Sequence, residues 1–426
     1  MLLVVVLFGI FFSLVFIGIP VAVSLGIASL AGFVYSNVSL VSLPQRMLTA
    51  VDSFPFMAIP FFMLAGRMME RGGISRRLVK LANECLGAIK GGLAMTTVLA
   101  CAFFAALSGS SPGTVAAIGS IMYPEMRKKN YDEGFAAGLI SCAGGIGPII
   151  PPSILMVTFG VTTETSISSL FLGGILPGIF MTGALIIVAY IISCKQGYGG
   201  DVVKRSIKSI LKAFIDALPA LGMPLLILGG IYGGVFTPTE AAAVAVFYAL
   251  LVGVFIYREL SVKDIINTLE SAAVSSAVVM LVIATSTPFS WIFARQGLAS
   301  VITNYMLGFL NTPFIFLLVT TIILLIFGTF MEGNAIILLL MPFLFPISQS
   351  LGVDPIHFGL ISTVALVVGC TSPPVAVNIY TAVGVTGVSM ERIIRGMLPF
   401  FITMIIVTFI LIFIPGLTTF LPQILN

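Results

Sequence analysis

Apolar runs fill the chain and are cut at only a few polar positions, so the runs predict helices and the cuts predict their ends. Residues 1–35 form one apolar block interrupted at Gly18-Ile19-Pro20, read as two helices joined by a tight turn. The stretch from Ser36 to Phe54 reads as a polar loop carrying Arg46. A third helix begins near Pro55 and runs into Arg67, Arg71, Arg76, Arg77 and Lys80. This basic segment continues amphipathically to Lys90, the pattern of a helix lying along the cytoplasmic membrane face.

From Gly91 the chain is apolar again, meets the cluster Ser108-Gly109-Ser110-Ser111-Pro112-Gly113-Thr114, and returns to Arg127-Lys128-Lys129 on a limb shorter than an ordinary span. Both ends then lie on one side with the tip buried, which predicts a re-entrant hairpin at about 91–126. The next helix, about 134–162, is broken by Gly147-Pro148-Ile149-Ile150-Pro151-Pro152. Residues 170–193 lead to a loop carrying Lys195, Lys204, Arg205, Lys208 and Lys212, and spans follow near 214–233, 238–257 and 270–293. A second hairpin at about 312–347, a second broken helix at about 356–386 and a last helix at about 397–415 complete the pattern.

The second hairpin and broken helix repeat the first at a constant offset of 222 residues. Pro124, Pro151, Pro152 and Pro177 fall on Pro346, Pro373, Pro374 and Pro399, and Asp132, Gly147, Val161, Gly174 and Leu176 fall on Asp354, Gly369, Val383, Gly396 and Leu398. At ordinary proline usage roughly 0.2 such proline pairs arise by chance in a window of this length, so the repeat is genuine. Pro288, Phe289 and Arg295 echo Pro60, Phe61 and Arg67 at an offset of 228, extending it backwards.

Composition narrows the class. The chain is 59% hydrophobic and 8% charged, with a mean hydropathy of +1.18 over 426 residues, more apolar surface than a soluble fold buries. The runs are continuous rather than alternating, which excludes a membrane β-barrel and leaves an all-α polytopic membrane protein in the lipid bilayer. The net charge of +4 gives no reason to expect nucleic acid, because the basic residues sit in loops. Cys85, Cys101, Cys142, Cys194 and Cys370 are scattered and read as free packing thiols. Met1 to Val6 lacks a basic start, so no cleavable signal peptide is expected.

All but two of the 20 Lys and Arg, Arg46 and Arg295, fall inside under this topology, with both termini outside. The second hairpin ends in Ser348-Gln349-Ser350-Leu351-Gly352 without a basic residue, so its feet lie opposite those of the first. The two copies are therefore inverted repeats, each with a re-entrant helical hairpin and a broken helix. The expected units are 1–90 (scaffold helices and amphipathic arm), 91–193 (first repeat), 194–311 (central scaffold helices and second arm), 312–396 (second repeat) and 397–426 (terminal helix).

The breaks carry the chemistry. Pro151 and Pro152 strand the carbonyls of Gly147 and Pro148, and Pro373 and Pro374 those of Gly369 and Cys370. Bare carbonyls in hydrocarbon need a partner, and a small hard cation suits them, with hydroxyls of Ser108, Ser110, Ser111, Thr371 or Ser372 completing the shell. The Na+ set is thus placed at Ser108, Gly109, Gly147 and Pro148 with Gly328, Met331, Gly333, Gly369, Cys370, Thr371 and Ser372. Restarting half-helices aim their N-terminal amides at the same region, where an anionic solute is favoured. The solute set is Ser110, Ser111, Pro112, Gly113, Thr114, Pro152, Ser153, Asn334, Pro374 and Asn378. Glu332 reads as a ligand, a helix cap or a vestibule residue, Asn378 as facing either the solute or a neighbouring helix, and His357 as a loop or helix-end residue. Cation and anion sites together are the arrangement of a sodium-coupled carboxylate carrier rather than an enzyme; there is no phosphate-binding glycine loop of an ATP-driven pump.

The hairpin cluster 108–114, Gly144-Gly145-Ile146-Gly147-Pro148-Ile149-Ile150-Pro151-Pro152-Ser153, Asp354-Pro355-Ile356-His357-Phe358-Gly359, and Gly369-Cys370-Thr371-Ser372-Pro373-Pro374 through Asn378 resemble the large membrane subunit of TRAP transporters, the DctM or SiaM type, in the ion-transporter superfamily. The resemblance covers essentially the whole chain. It implies an elevator-type importer of organic acids, such as C4-dicarboxylates or sialic acid, driven by sodium in the bacterial inner membrane. It also implies a periplasmic solute-binding protein and a separate small four-helix membrane subunit as partners. A self-sufficient sodium–dicarboxylate symporter of the same superfamily is the alternative.

Overall fold

The computed structural model describes residues 2–199, 206–297, 308, 310, 312–373 and 376–425. The described secondary structure is helical throughout. Six helices are long and apolar enough to cross a membrane, or seven if a bent pair, Ser42–Val51 with Phe54–Arg71, is one span, so this is a multi-pass membrane protein.

The first part comprises α1 (Leu2–Phe16), α2 (Val21–Tyr35), α3 (Ser42–Val51), a 3-10 turn Phe54–Met57, α4 (Ala58–Arg71) and α5 (Ile74–Leu86). The expected loop from Ser36 to Phe54 therefore contains a helix. Pro44 reads as a loop residue, yet it falls in the first turn of α3, where a missing N–H costs nothing. The first repeat is α6 (Gly92–Ser108), α7 (Ser111–Lys128), α8 (Glu133–Gly144), α9 (Ile154–Thr163) and α10 (Ile167–Lys195). The returning limb α7 is 18 residues long, longer than expected, because the helix continues past Pro124 through its basic end.

Between the repeats run α11 (Ile207–Tyr232), α12 (Pro238–Leu251) and α13 (Val262–Arg295), the last a single helix of 34 residues. The second repeat is α14 (Pro313–Gly328), α15 (Gly333–Ser350), α16 (Pro355–Gly369), α17 (Val377–Thr386) and α18 (Met390–Phe413). A terminal helix absent from the sequence reading, α19 (Gly416–Leu425), follows the Pro415-Gly416 break. Thr418 on α19 lies 2.7 Å from Nδ1 of His357, which is buried at the start of α16 beside its capping residue Asp354.

The repeat is visible in the limb ends: Ser111 and Lys128 of α7 stand 222 residues before Gly333 and Ser350 of α15. The repeats are interlocked. α7 packs along α17 of the other repeat, and α15 packs along α9. At the centre, α8 is buried from Gly134 to Gly144 and α16 from His357 to Gly369, so the first halves of both broken helices form the most enclosed part of the fold. α8 is held against α18.

Around this unit, α2 packs on α13, α4 on α12 and α5 on α11. Arg77 and Arg76 reach Glu259 at 2.7 and 3.3 Å, and Lys80 reaches Asp216 at 2.9 Å, fastening the amphipathic arm to the central helices. Arg46 stacks on Trp291, its guanidinium carbon 3.6 Å from the ring centroid, which anchors α3 to α13.

Candidate functional site: two hairpin tips meeting two broken helices

In the first repeat the chain between α6 and α7 turns through Gly109 at φ +55°. A side chain there would also stand 2.6 Å from the Pro152 carbonyl oxygen, so glycine is required twice over. Ser110 then caps α7, its hydroxyl accepting the Gly113 N–H at 3.3 Å, and Ser153 caps α9 by accepting the Met156 N–H at 3.4 Å. The Thr114 hydroxyl donates to the Ser110 carbonyl at 2.8 Å, with the Ser108 hydroxyl 3.0 Å from Thr114 Oγ1. Gly147 abuts that same carbonyl. Hydroxyl and carbonyl oxygens of Ser108, Ser110, Thr114 and Pro152 thus collect where the hairpin tip crosses the break.

In the second repeat Gly328 and Gly369 touch backbone to backbone, and a side chain on either would stand 2.8 Å from the other's Cα. The Cys370 thiol donates to the Met331 carbonyl at 3.7 Å. Glu332 caps α15: its carboxylate accepts the backbone N–H groups of Asn334 and Ala335 at 3.0 and 3.3 Å and the Asn334 side-chain amide at 2.6 Å. Of the three roles open in the sequence, the geometry therefore gives Glu332 that of a cap, and its exposed surface faces the cavity described below.

Two polar clamps join the repeats. The Ser111 hydroxyl lies 2.9 Å from Oδ1 and 2.6 Å from Nδ2 of Asn378, whose amide also donates to the Ser141 carbonyl and Thr371 Oγ1, each at 3.2 Å. Thr158 on α9 donates to Oδ1 of Asn334 at 2.8 Å. Thr158 carried no sequence signal beyond a lone hydroxyl in an apolar helix. Asn378 is fully buried and engages neighbouring helices.

Between the tips lies a cavity of about 630 Å³. Its walls include Gly109, Ser110, Ser111, Pro112 and Pro148 from the first repeat and Gly333, Asn334, Cys370 and Asn378 from the second. The opposite wall belongs to Pro20 to Val23, Met63 and Arg67, and Ser275 with Val278, Val279, Leu281 and Val282 of α13. An adjoining cavity of about 330 Å³ shares Met63, Arg67, Ser110, Pro112 and Ile154 and adds Gly66, Glu70, Ser108 and Gly113.

Not every nominated residue reaches these walls. Thr114, Pro152 and Ser153 are buried behind them, the two hydroxyls spent on internal bonds. Gly147, Gly328, Met331, Gly369 and Thr371 also lie behind, Thr371 accepting from Asn378, while Ser372 is half-buried, lines neither cavity and donates to the Pro373 carbonyl at 3.3 Å. Pro374 lies outside the described residues. Conversely, Arg67 was grouped by sequence with the basic arm, yet it is half-buried and lines both cavities. The available signal was a cation one residue inside an apolar run, ahead of Met68-Met69.

The family model for the tripartite ATP-independent periplasmic transporter, DctM component, matches residues 8–417. The chain belongs to the DctM family. Among curated relatives, DctM-family similarity is 44% identity over 420 residues to the isethionate TRAP transporter permease protein DctMQ of Oleidesulfovibrio alaskensis, covering 97% of this chain and 66% of that protein. The C4-dicarboxylate large permease DctM of Rhodobacter capsulatus is 35% identical, covering 99% of both chains, and the sialic acid large permease SiaM of Vibrio cholerae is 36% identical, covering 96% of both. Among solved structures, the Alcanivorax borkumensis YdaH transporter aligns over 87% of both chains with a TM-score of 0.63 at 16% identity, a likeness of fold.

The donor set suits a hard monovalent cation: neutral hydroxyl and carbonyl oxygens converge at the crossing, and no cluster of three or more His, Cys, Asp or Glu exists among the described residues to favour a transition metal.

Proposed function

We propose that this DctM-family chain is the large subunit of a TRAP transporter that imports an organic acid with sodium across the bacterial inner membrane. A periplasmic binding protein delivers the solute, and a separate small four-helix subunit completes the membrane part. The observation that supports this reading is the cavity of about 630 Å³ where both hairpin tips meet both breaks, walled by hydroxyls, amides, the Arg67 guanidinium and the helix-capping Glu332 carboxylate amid apolar side chains. Isethionate, C4-dicarboxylates and sialic acid, named for the relatives above, are all small organic anions, and such an anion is the solute class proposed here.

The oxygens of Ser108, Ser110, Thr114 and Pro152, with the Met331 carbonyl in the other repeat, would hold sodium behind the cavity wall, its charge favouring the anion in front. The interlocked unit of hairpins and broken helices slides as an elevator against α1 to α5 and α11 to α13. Arg71 marks the cytoplasmic end of α4, so the cavity abuts the cytoplasmic half of the scaffold, the arrangement of an inward-facing carrier.

Uptake of labelled isethionate, succinate and N-acetylneuraminate into proteoliposomes holding this chain and its small subunit tests the proposal. Uptake of one acid that needs both an inward sodium gradient and the binding protein is expected. Sodium-driven uptake without the binding protein would instead give the self-sufficient symporter, and uptake indifferent to sodium would overturn the coupling.

A further inference from the structure

We infer that Arg67 is the counter-ion for the acid group of the solute, and that it acts only while the cavity faces the cytoplasm. The inference deepens the transport reading above and rests on it.

Arg67 is brought to the site by its neighbour. A Cβ on Gly66 would stand 3.1 Å from Cα of Ser108, so α4 meets the first hairpin tip backbone to backbone and delivers the next side chain to its edge. The Arg67 guanidinium then donates to the Ser275 hydroxyl at 2.5 Å, which fixes it between two scaffold helices, α4 and α13. It forms no ion pair with any described residue and, among the described residues, is the one cation on the walls of either cavity. The acids there make no direct ion pair with it: the Glu332 carboxylate accepts three N–H groups of its own helix, and Glu70, one turn along α4, lines the smaller cavity beyond ion-pair distance.

A half-buried arginine within a membrane span is expensive without an anionic partner, and here it lines the same cavity as Ser110 and Asn334. Guanidinium presents paired donors in one plane, the geometry that a carboxylate or sulfonate accepts. Both anchors belong to the scaffold, whereas the hydroxyl and amide walls belong to the hairpins. When the hairpins slide, Arg67 stays behind. Arg67 is one turn from Arg71, and Ser275 lies in the half of α13 nearer Val262, so the contact exists at the inner position alone. Arg67 therefore sets affinity on the cytoplasmic side and not on the side of entry.

The test is solute exchange in oriented proteoliposomes containing both subunits, with the binding protein supplied on the side of entry, using whichever of isethionate, succinate or N-acetylneuraminate the wild type carries. Arg67→Gln should raise the half-saturating concentration for solute supplied from the cytoplasmic side on the order of tenfold, the weight of a charged hydrogen bond, and leave the opposite side within about twofold. Arg67→Lys should recover part of the loss, and Ser275→Ala, which removes only the anchor, should shift the same side in the same direction. An equal shift on both sides, or none, with the wild type active overturns the inference alone. No sodium-dependent exchange by the wild type overturns the transport reading and the inference together. Should Arg67→Gln fail to assemble, Ser275→Ala decides by the same sidedness.

Discussion

Ser111 and Asn378 meet hydroxyl to amide at 2.9 and 2.6 Å across 267 residues of sequence, tying the first hairpin to the second broken helix. Both residues are buried where α7, α8 and α17 meet, at the wall of the cavity. Ser111→Ala removes one partner and leaves the Asn378 oxygen unpaired in the interior, a loss of about 1–3 kcal/mol. The melting temperature of the purified protein should fall accordingly. Asn378→Leu combined with Ser111→Ala should cost less than the sum of the two, because the double variant leaves neither member of this pair facing an unsatisfied partner.

The hairpin tip at Gly109 offers a sharper test of the ion site. Gly109→Ala forces a Cβ against the Pro152 carbonyl and strains a residue at φ +55° by about 1 kcal/mol. Because Pro152 and Ser110 contribute oxygens to the proposed sodium set, the expected outcome is a rise in the sodium concentration needed for half-maximal uptake. A variant with slower uptake at unchanged sodium dependence would remove these oxygens from the ion site.

Glu332 separates capping from ligation. Glu332→Gln keeps an oxygen that accepts the Asn334 and Ala335 N–H groups and should retain most uptake, whereas Glu332→Ala should cost about 1 kcal/mol of stability as an uncapped helix start. Abolition of uptake by Glu332→Gln, measured at full stability, would show that the charge itself is needed.

On the arm, Arg76 and Arg77 share Glu259, but only Arg77 also covers the Tyr257 ring, its guanidinium carbon 3.6 Å from the centroid. Arg76 is 73% exposed, so Arg76→Ala should change stability by no more than about 0.5 kcal/mol. Arg77→Ala should cost about 1 kcal/mol more, and thermal melts at low and high salt should show that only the ion-pair share is screened.

Much of the architecture was legible because its causes are local. Proline and glycine break helices wherever they stand, so Pro151, Pro152 and Pro373 announced the breaks, and the 222-residue offset fell on the observed ends of α7 and α15. The elements that escaped, α3 and α19, are short helices of 10 residues each, with Pro44 in the first turn of one and Pro415-Gly416 opening the other. A helix of that length takes its stability from packing, as α19 does on α10, and packing has no signature in a short polar or proline-bearing stretch.

The sequence by itself determined that this chain is a multi-pass helical protein with two inverted repeats and where its hairpin tips and helix breaks fall. These follow from hydropathy and from the missing N–H of proline, properties of each residue alone. Which polar side chains line the cavity and which are spent holding it together was decided only by the tertiary structure. Thr114 and Asn378 look as free as Ser110 until Ser108 and Ser111 are found beside them, and Arg67 belongs to a surface arm until Ser275, 208 residues away, turns it inward. A hydrogen bond belongs to two residues, and along the chain only one of them is in view.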